Sequence, residues 1–263
     1  MWASFLTLVA SGIGFAVRAG MGGTWEAAFN IGGDQFGAIM GAGFLGFGMM
    51  IFFGGILTEK LGYKTLLVLA FLLHLISAGM IFATQPAYEA GLETDPATAT
   101  AAAFNILFWS TFLFSLAQGI YEAVINPMIA QLYPENQTHY LNILHAGWPG
   151  GMIIGGLVAV MFVGKDAWVT PVEQWEIVLA AFAVVVVLYG IIAFSCPFPA
   201  TAAAKQKGNF GVLFSCFFSP IFLLLLIIHA CVGYVELGVD SWVTKLMNNL
   251  MPNAILILSL IHI

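Results

Sequence analysis

Roughly seven stretches of about 20 apolar residues leave this chain little choice of fold. Each is long enough to cross the hydrocarbon of a bilayer as a helix. Inside hydrocarbon every backbone N–H and C=O must be paired within its own segment, which excludes open sheet edges and lipid-facing loops. The 263 residues are 61% hydrophobic and only 8% charged, too few charges to cover a soluble surface. An all-α membrane bundle is predicted. Trp2 to Val17 has neither a basic n-region nor a small-residue cleavage site, so it reads as a retained first helix and not a signal peptide. Cys196, Cys216 and Cys231 lie in or beside apolar runs and suggest neither a disulfide framework nor a zinc cluster. No cofactor or metal is expected. The net charge of −6 is spread over loops and gives no basic patch for nucleic acid.

The polar residues inside the apolar runs are not scattered. Between Thr111 and Asn126 they fall at Thr111, Ser115, Gln118, Glu122 and Asn126, steps of four, three, four and four. That spacing puts all five on one helical face. A carboxylate at the centre of a membrane helix costs roughly 2.5–3.5 kcal/mol on insertion scales. The Glu122 face must therefore look into protein or a water-filled path. A seam that only glues helices together is the competing reading. The first helix carries a second stripe at Ser4, Thr7, Ser11, Gly14 and Arg18, where Arg18 alone would also fit a snorkelling helix end. The seventh, predicted over about 214–243, carries a third at His229, Gly233, Glu236 and Asp240. Helices one, four and seven are thus striped while three and six are not, a repeat with a period of three helices. Internal repeats are how many secondary transporters are built.

The other helices differ in kind. The second, over about 36–57, is dense in glycine (Gly37, Gly41, Gly43, Gly46, Gly48, Gly54, Gly55) and is predicted to pack closely on a neighbour. The fifth, with Gly147, Gly150, Gly151, Gly155 and Gly156, should do the same. The third, over about 65–82, has only His74 and Ser77 as polar interruptions, and His74 reads as a packing residue. The sixth, over about 175–194, is almost wholly apolar and should face lipid. The stretch 85–98 reads as a loop, the fourth helix as ending near Asn126-Pro127, and 132–142 as a link. Lys60, Lys64, Lys205 and Lys207 share one side, while Lys165 stands against five acids on the other. The positive-inside rule then places the amino terminus in the cytoplasm.

The loop Gly55-Ile-Leu57-Thr-Glu59-Lys60-Leu-Gly62-Tyr63-Lys64 resembles the signature Gly-x-Leu-x-Asp-Arg-x-Gly-Arg-Arg/Lys of the major facilitator superfamily. Gly55, Leu57, Gly62 and Lys64 match; Glu59 and Lys60 are conservative departures, and Tyr63 breaks the pattern. The resemblance implies a cytoplasmic loop whose charges latch one closed state. Within the superfamily the chain is most similar to the fucose–proton symporter family of sugar transporters. Glu122-x-x-x-Asn126-Pro127 with Leu132, Pro134-Glu135 and Leu141-Asn142 carries that similarity, and Val232-Gly233 with Glu236 and Ser241-Trp242 adds a shorter match. The family's counterpart of Glu122 serves sugar recognition or proton coupling. The family's helix-one aspartate is missing here, and Ala16-Val17-Arg18-Ala19 stands in its place. Either Arg18 pairs with Glu122, or it meets an anionic or hydroxyl-rich solute.

These readings imply an N-terminal six-helix bundle over 1–196, a cytoplasmic linker over 197–212 and the start of a second bundle over 213–257. Leu258 to Ile263 resembles the translated end of a transposase adapter used in DNA library preparation, so this tail is expected to be non-native. The predicted function is a secondary transporter of the cell membrane, monomeric, moving a small polar solute such as a sugar by alternating access. The proton is its candidate coupling ion. The predicted pathway residues are Arg18, Gln118, Glu122, Asn126, His229 and Glu236, with Asn142, His145 and Trp148 as wall residues. The competing reading of those three is helix packing with a kink at Pro149. A carrier for nucleosides, organic anions or drugs, or a non-transporting receptor, is the alternative. An enzyme is not expected: no His-Glu-x-x-His or Gly-x-Ser-x-Gly occurs, and His139 and His145 do not share a face.

Overall fold

A computed structural model describes residues 1–162, 175–201, 211, 215–239 and 242 of the chain. The lysines Lys165, Lys205 and Lys207, the acids Asp166, Glu173 and Asp240, Ser241 and the tail from Leu258 lie outside the described residues, as does the side chain of Glu236. Among the described residues six helical spans are long and apolar enough to cross a membrane. Span 1 is α1 (Trp2–Gly20). A short α2 (Gly22–Phe29) leads to span 2, α3 (Gly33–Leu61). Span 3 joins α4 (Tyr63–Ile81) to α5 (Thr84–Leu92), and span 4 is the long α6 (Pro96–Leu132). Span 5 joins α7 (Gln137–His145) to α8 (Gly147–Phe162), and span 6 joins α9 (Trp175–Leu179) to α10 (Phe182–Ser195). A shorter apolar helix, α11 (Pro220–Gly233), follows.

The distribution of polarity is that of a protein in lipid. Large apolar side chains such as Val184, Ile191, Ile76 and Trp109 stand exposed, while Ser11, Arg18, His74 and Ser77 are buried. The polar stripes of spans 1 and 4 turn inward. Span 1 packs chiefly on span 5 and then on span 6; span 4 packs on spans 2 and 3 to about the same extent. Exchanging 1 with 4, 2 with 5 and 3 with 6 maps one set of contacts onto the other. Three crossings separate each pair, so partners run in opposite directions, as expected of an inverted repeat.

Glycines set both of the main interfaces. A Cβ on Gly151 or Gly12 would collide with the backbone of the facing helix, and one on Gly155 would stand 2.7 Å from the Ile13 carbonyl oxygen. On the other side, Gly46 and Gly119 leave only 2.6 Å to the Phe112 and Phe47 carbonyl oxygens respectively. The glycine-dense second and fifth helices therefore do pack closely, and their partners are the two striped helices.

Several boundaries differ from the sequence reading. The loop expected over 85–98 is mostly helix: α5 extends span 3, and α6 begins at Pro96 because Asp95 caps it. The Asp95 carboxylate accepts from the N–H groups of Ala97 (2.8 Å) and Thr98 (2.9 Å) and from the Thr98 hydroxyl (2.7 Å). Nor does α6 stop at Asn126-Pro127; it runs on to Leu132 with Pro127 inside it. The proline lacks the N–H that the Ala123 carbonyl would accept. The Thr58 hydroxyl of α3 lies 3.4 Å from that oxygen and 2.7 Å from the Gly54 carbonyl oxygen, so α3 supplies a substitute partner. The link expected over 132–142 is also largely helical, as α7. Span 6 is only half lipid-facing: Phe182, Val186, Tyr189 and Ala193 are buried along one face. Residues 212–214, where the seventh helix is expected to start, lie outside the described residues; among the described residues it runs from Pro220, which takes its first turn, and beyond Gly233 it passes into a π-helical turn, Tyr234–Gly238. The 4-3-4 spacing assumed for that stripe does not hold through a π turn.

Candidate functional site

Arg18 is the centre of the arrangement, and it is only 1% exposed. Its Nη1 donates to the Gly14 carbonyl at 3.0 Å and its Nη2 to the Ser77 hydroxyl at 3.2 Å. Ser77 donates in turn to the Ser110 carbonyl at 2.7 Å, tying spans 1, 3 and 4 together. The guanidinium carbon lies 3.9 Å from the Phe114 ring centroid and 5.1 Å from that of Phe182. Cation–π contacts of this kind are worth about 0.5–2 kcal/mol each. Gly14 belongs to this construction: a Cβ there would collide with Phe114, the ring that lies on the cation. Among the described residues no carboxylate reaches Arg18. The direct Arg18–Glu122 pair expected as one alternative is not formed, because Ser77, Gly14 and the two rings hold the guanidinium on another level.

Beside Arg18 lies a cavity with about 380 Å³ of empty space, counting its solvent-open part. Thr111, Ser115 and Gln118 of α6 line it together with Arg18, and Phe15, Phe44 and Trp148 form its apolar wall. A Cβ on Gly43 of α3 would stand 3.0 Å from the Ser115 hydroxyl oxygen, so a side chain there would fill the floor. Spans 1, 2, 4 and 5 all contribute. Trp148 is held by Phe15, with ring centroids 5.6 Å apart, so it combines the packing and the wall roles that the sequence left open.

Further along the same faces the two stripes touch directly. The Tyr121 hydroxyl donates to the Ser11 hydroxyl, joining span 4 to span 1. Next to Tyr121, Glu122 accepts from Asn126 Nδ2 at 3.0 Å, and both residues are half-buried. His74 sits behind them, fully buried, with Nδ1 3.0 Å from the Tyr189 hydroxyl and its ring among Phe114, Tyr121 and Phe182. Sequence reasoning treated His74 as packing and missed Tyr121, Ser77 and Tyr189 as polar partners. Tyr189 could have been found: it is the one hydroxyl in an otherwise apolar run. Tyr121 falls off the stripe by one residue, and nothing in the spacing marks it.

The remaining predicted residues lie elsewhere. Asn142 and His145 are exposed on α7 and do not line the cavity. His229 is exposed on α11, and Glu236 falls in the π turn. In the loop motif, Gly62 alone joins α3 to α4, with φ +80° and ψ 160°, a conformation essentially reserved for glycine. Gly55, Lys60 and Lys64 are exposed and Glu59 half-buried. Lys64 donates to the Phe194 carbonyl near the end of α10 at 3.4 Å. Tyr63, the departure from the motif, is buried and donates to Gln131 Oε1 at 3.2 Å; Gln131 donates onward to the Ala200 carbonyl at 3.0 Å.

Comparison with known proteins agrees with this architecture. The fold is similar to that of the D-xylose-proton symporter, with a TM-score of 0.71 and 14% identity over 99% of this chain and 64% of the other. It is also similar to the xylose transporter XylE from E. coli in an inward-open conformation, with a TM-score of 0.61 and 16% identity over 93% of this chain and 59% of the other. The chain thus spans less than two thirds of the length of either. No curated protein matches it significantly by sequence. The family model of the Major Facilitator Superfamily matches residues 3–260. With six packed spans among the described residues, arranged as a three-span unit repeated in inverted orientation, and the family model matching nearly its whole length, the chain belongs to the major facilitator superfamily.

Proposed function

We propose that this chain builds the solute-binding half of a secondary transporter that moves a small polar solute, a sugar or a relative of one, by alternating access. The observation that carries the reading is the cavity itself. Two striped helices place Arg18, Thr111, Ser115 and Gln118 around it, and two glycine-dense helices close its sides. Solute sites in transporters sit near the bilayer midplane between repeat units, and this cavity lies between the two striped helices with polar and aromatic groups on its walls. The likeness to xylose carriers supports the same reading.

Glu122 is the candidate proton carrier. It is half-buried, its carboxylate is held by Asn126, and it adjoins the Tyr121–Ser11 contact that closes the two stripes on each other. Opening that contact would change the water around the carboxyl and with it the proton affinity. A cytoplasmic amino terminus and a monomer in the cell membrane complete the proposal. The test is uptake of labelled sugars into proteoliposomes under an imposed pH gradient. Saturable accumulation that collapses when the gradient is dissipated supports a proton-coupled carrier. Binding without accumulation under any gradient would favour the receptor reading.

A further inference from the structure

Arg18 leads to a narrower statement about the solute. A guanidinium has five N–H donors. Nη1 and Nη2 each make one bond, to Gly14 and Ser77, while Nε finds no acceptor although the residue is 1% exposed. Thr111, 3% exposed and lining the same cavity as Arg18, has a hydroxyl that is likewise unpartnered. A buried cation without a counter-ion is costly, and among the described residues the nearby groups do not supply one. Ser77 and Ser110 are neutral, the Glu122 carboxylate is engaged by Asn126, and His74 is stacked among aromatic rings. The Phe114 and Phe182 rings lie together on one side of the guanidinium, their centroids 5.0 Å apart, and offer its Nε–H no acceptor. An edge of parallel N–H groups is what a carboxylate pairs with in bidentate fashion.

Resting on the carrier reading above, we propose that the solute is a sugar acid whose carboxylate seats on Arg18. Its hydroxyls pair with Thr111, Ser115 and Gln118, and its ring lies against the wall of Phe15 and Trp148. A neutral sugar would satisfy the hydroxyl partners and leave the cation uncompensated.

The test uses matched pairs. The purified protein is titrated calorimetrically with galactose against galacturonate and with xylose against xylonate, and the same four compounds are assayed for uptake in proteoliposomes. Each acid is expected to bind about tenfold or more tightly than its neutral partner. Arg18→Gln should bring the two within a few-fold, and Arg18→Lys should keep part of the preference. If Arg18→Gln does not fold, the comparison on the unaltered protein still decides the matter, and Gln118→Leu, which should weaken acid and neutral compound alike, controls for general loss of the site. Equal or tighter binding of the neutral sugars would overturn the sugar-acid assignment and leave the carrier standing. Neither binding nor uptake of any of the four would sink both.

Discussion

The residue that organises the site is a cation, and the residue expected to answer it is held elsewhere. Arg18 and Glu122 both lie on inward faces, yet Arg18 is fixed by Ser77 and Phe114 and Glu122 by Asn126. The two charges are therefore open to separate roles, solute for one and proton for the other. In Glu122→Gln, exchange of labelled for unlabelled solute should persist while accumulation driven by a pH gradient is lost; equal loss of both would place Glu122 in solute binding instead. Tyr121→Phe removes the hydroxyl that meets Ser11. It should lower stability by about 1 kcal/mol, the usual net value of a buried hydrogen bond, as read from a shift in thermal unfolding. Helical spacing made the stripes visible. It could not show which member of one stripe touches which member of another, because that depends on how deeply neighbouring helices interlock. Asn142, exposed on α7 and not lining the cavity, shows the limit: it was selected by residue type and neighbourhood.

At the scale of elements, glycine separates contact from open space within one helix. Gly151 lies against the Val9 backbone, whereas a Cβ on Gly150 meets nothing within 4 Å. Gly151→Ala should destabilise the bundle by about 1–3 kcal/mol through overpacking, while Gly150→Ala should be neutral or slightly stabilising because alanine favours helix; paired thermal melts give the comparison. Gly62→Ala should cost about 1–3 kcal/mol, because alanine resists the conformation that turns α3 into α4. Asp95 provides a test by pH. Hydrogen bonds from Thr98, and then from Ala97, hold its carboxyl below the usual carboxylate range. The cap's contribution is therefore present above the ordinary carboxylate pKa and lost as pH falls through the lower folded value. Asp95→Asn should flatten that acid arm of the stability–pH curve while leaving α6 capped. The sequence missed this element because a run with two prolines and three acids looks like a loop. Proline at a first helical turn with aspartate before it is instead a start signal.

For the whole molecule, the period of three helices seen in the stripes is also a period of packing. Spans 1 and 4 each lie between a glycine-dense partner and a plainer one, and the cavity opens where the two striped helices face each other. The bundle was readable because hydrocarbon permits so few arrangements of backbone. The cavity was half readable: Arg18, Gln118 and Trp148 were predicted and line it, while Phe15, Phe44 and Met40 are apolar residues that no pattern distinguishes from core. The π turn after Gly233 was not readable, because a local change in helical register leaves the apolar composition unchanged.

The central claim is that water and solute, not lipid, reach the inward face of span 4. Thiol labelling tests it most directly. In a background with Cys196, Cys216 and Cys231 replaced, Gln118→Cys and Ile191→Cys are exposed in turn to a membrane-impermeant charged reagent. Gln118→Cys should react and be protected by transported solute, while Ile191→Cys, on the lipid face of span 6, should not react. An inert Gln118→Cys, or the reverse order of reactivity, would contradict the account.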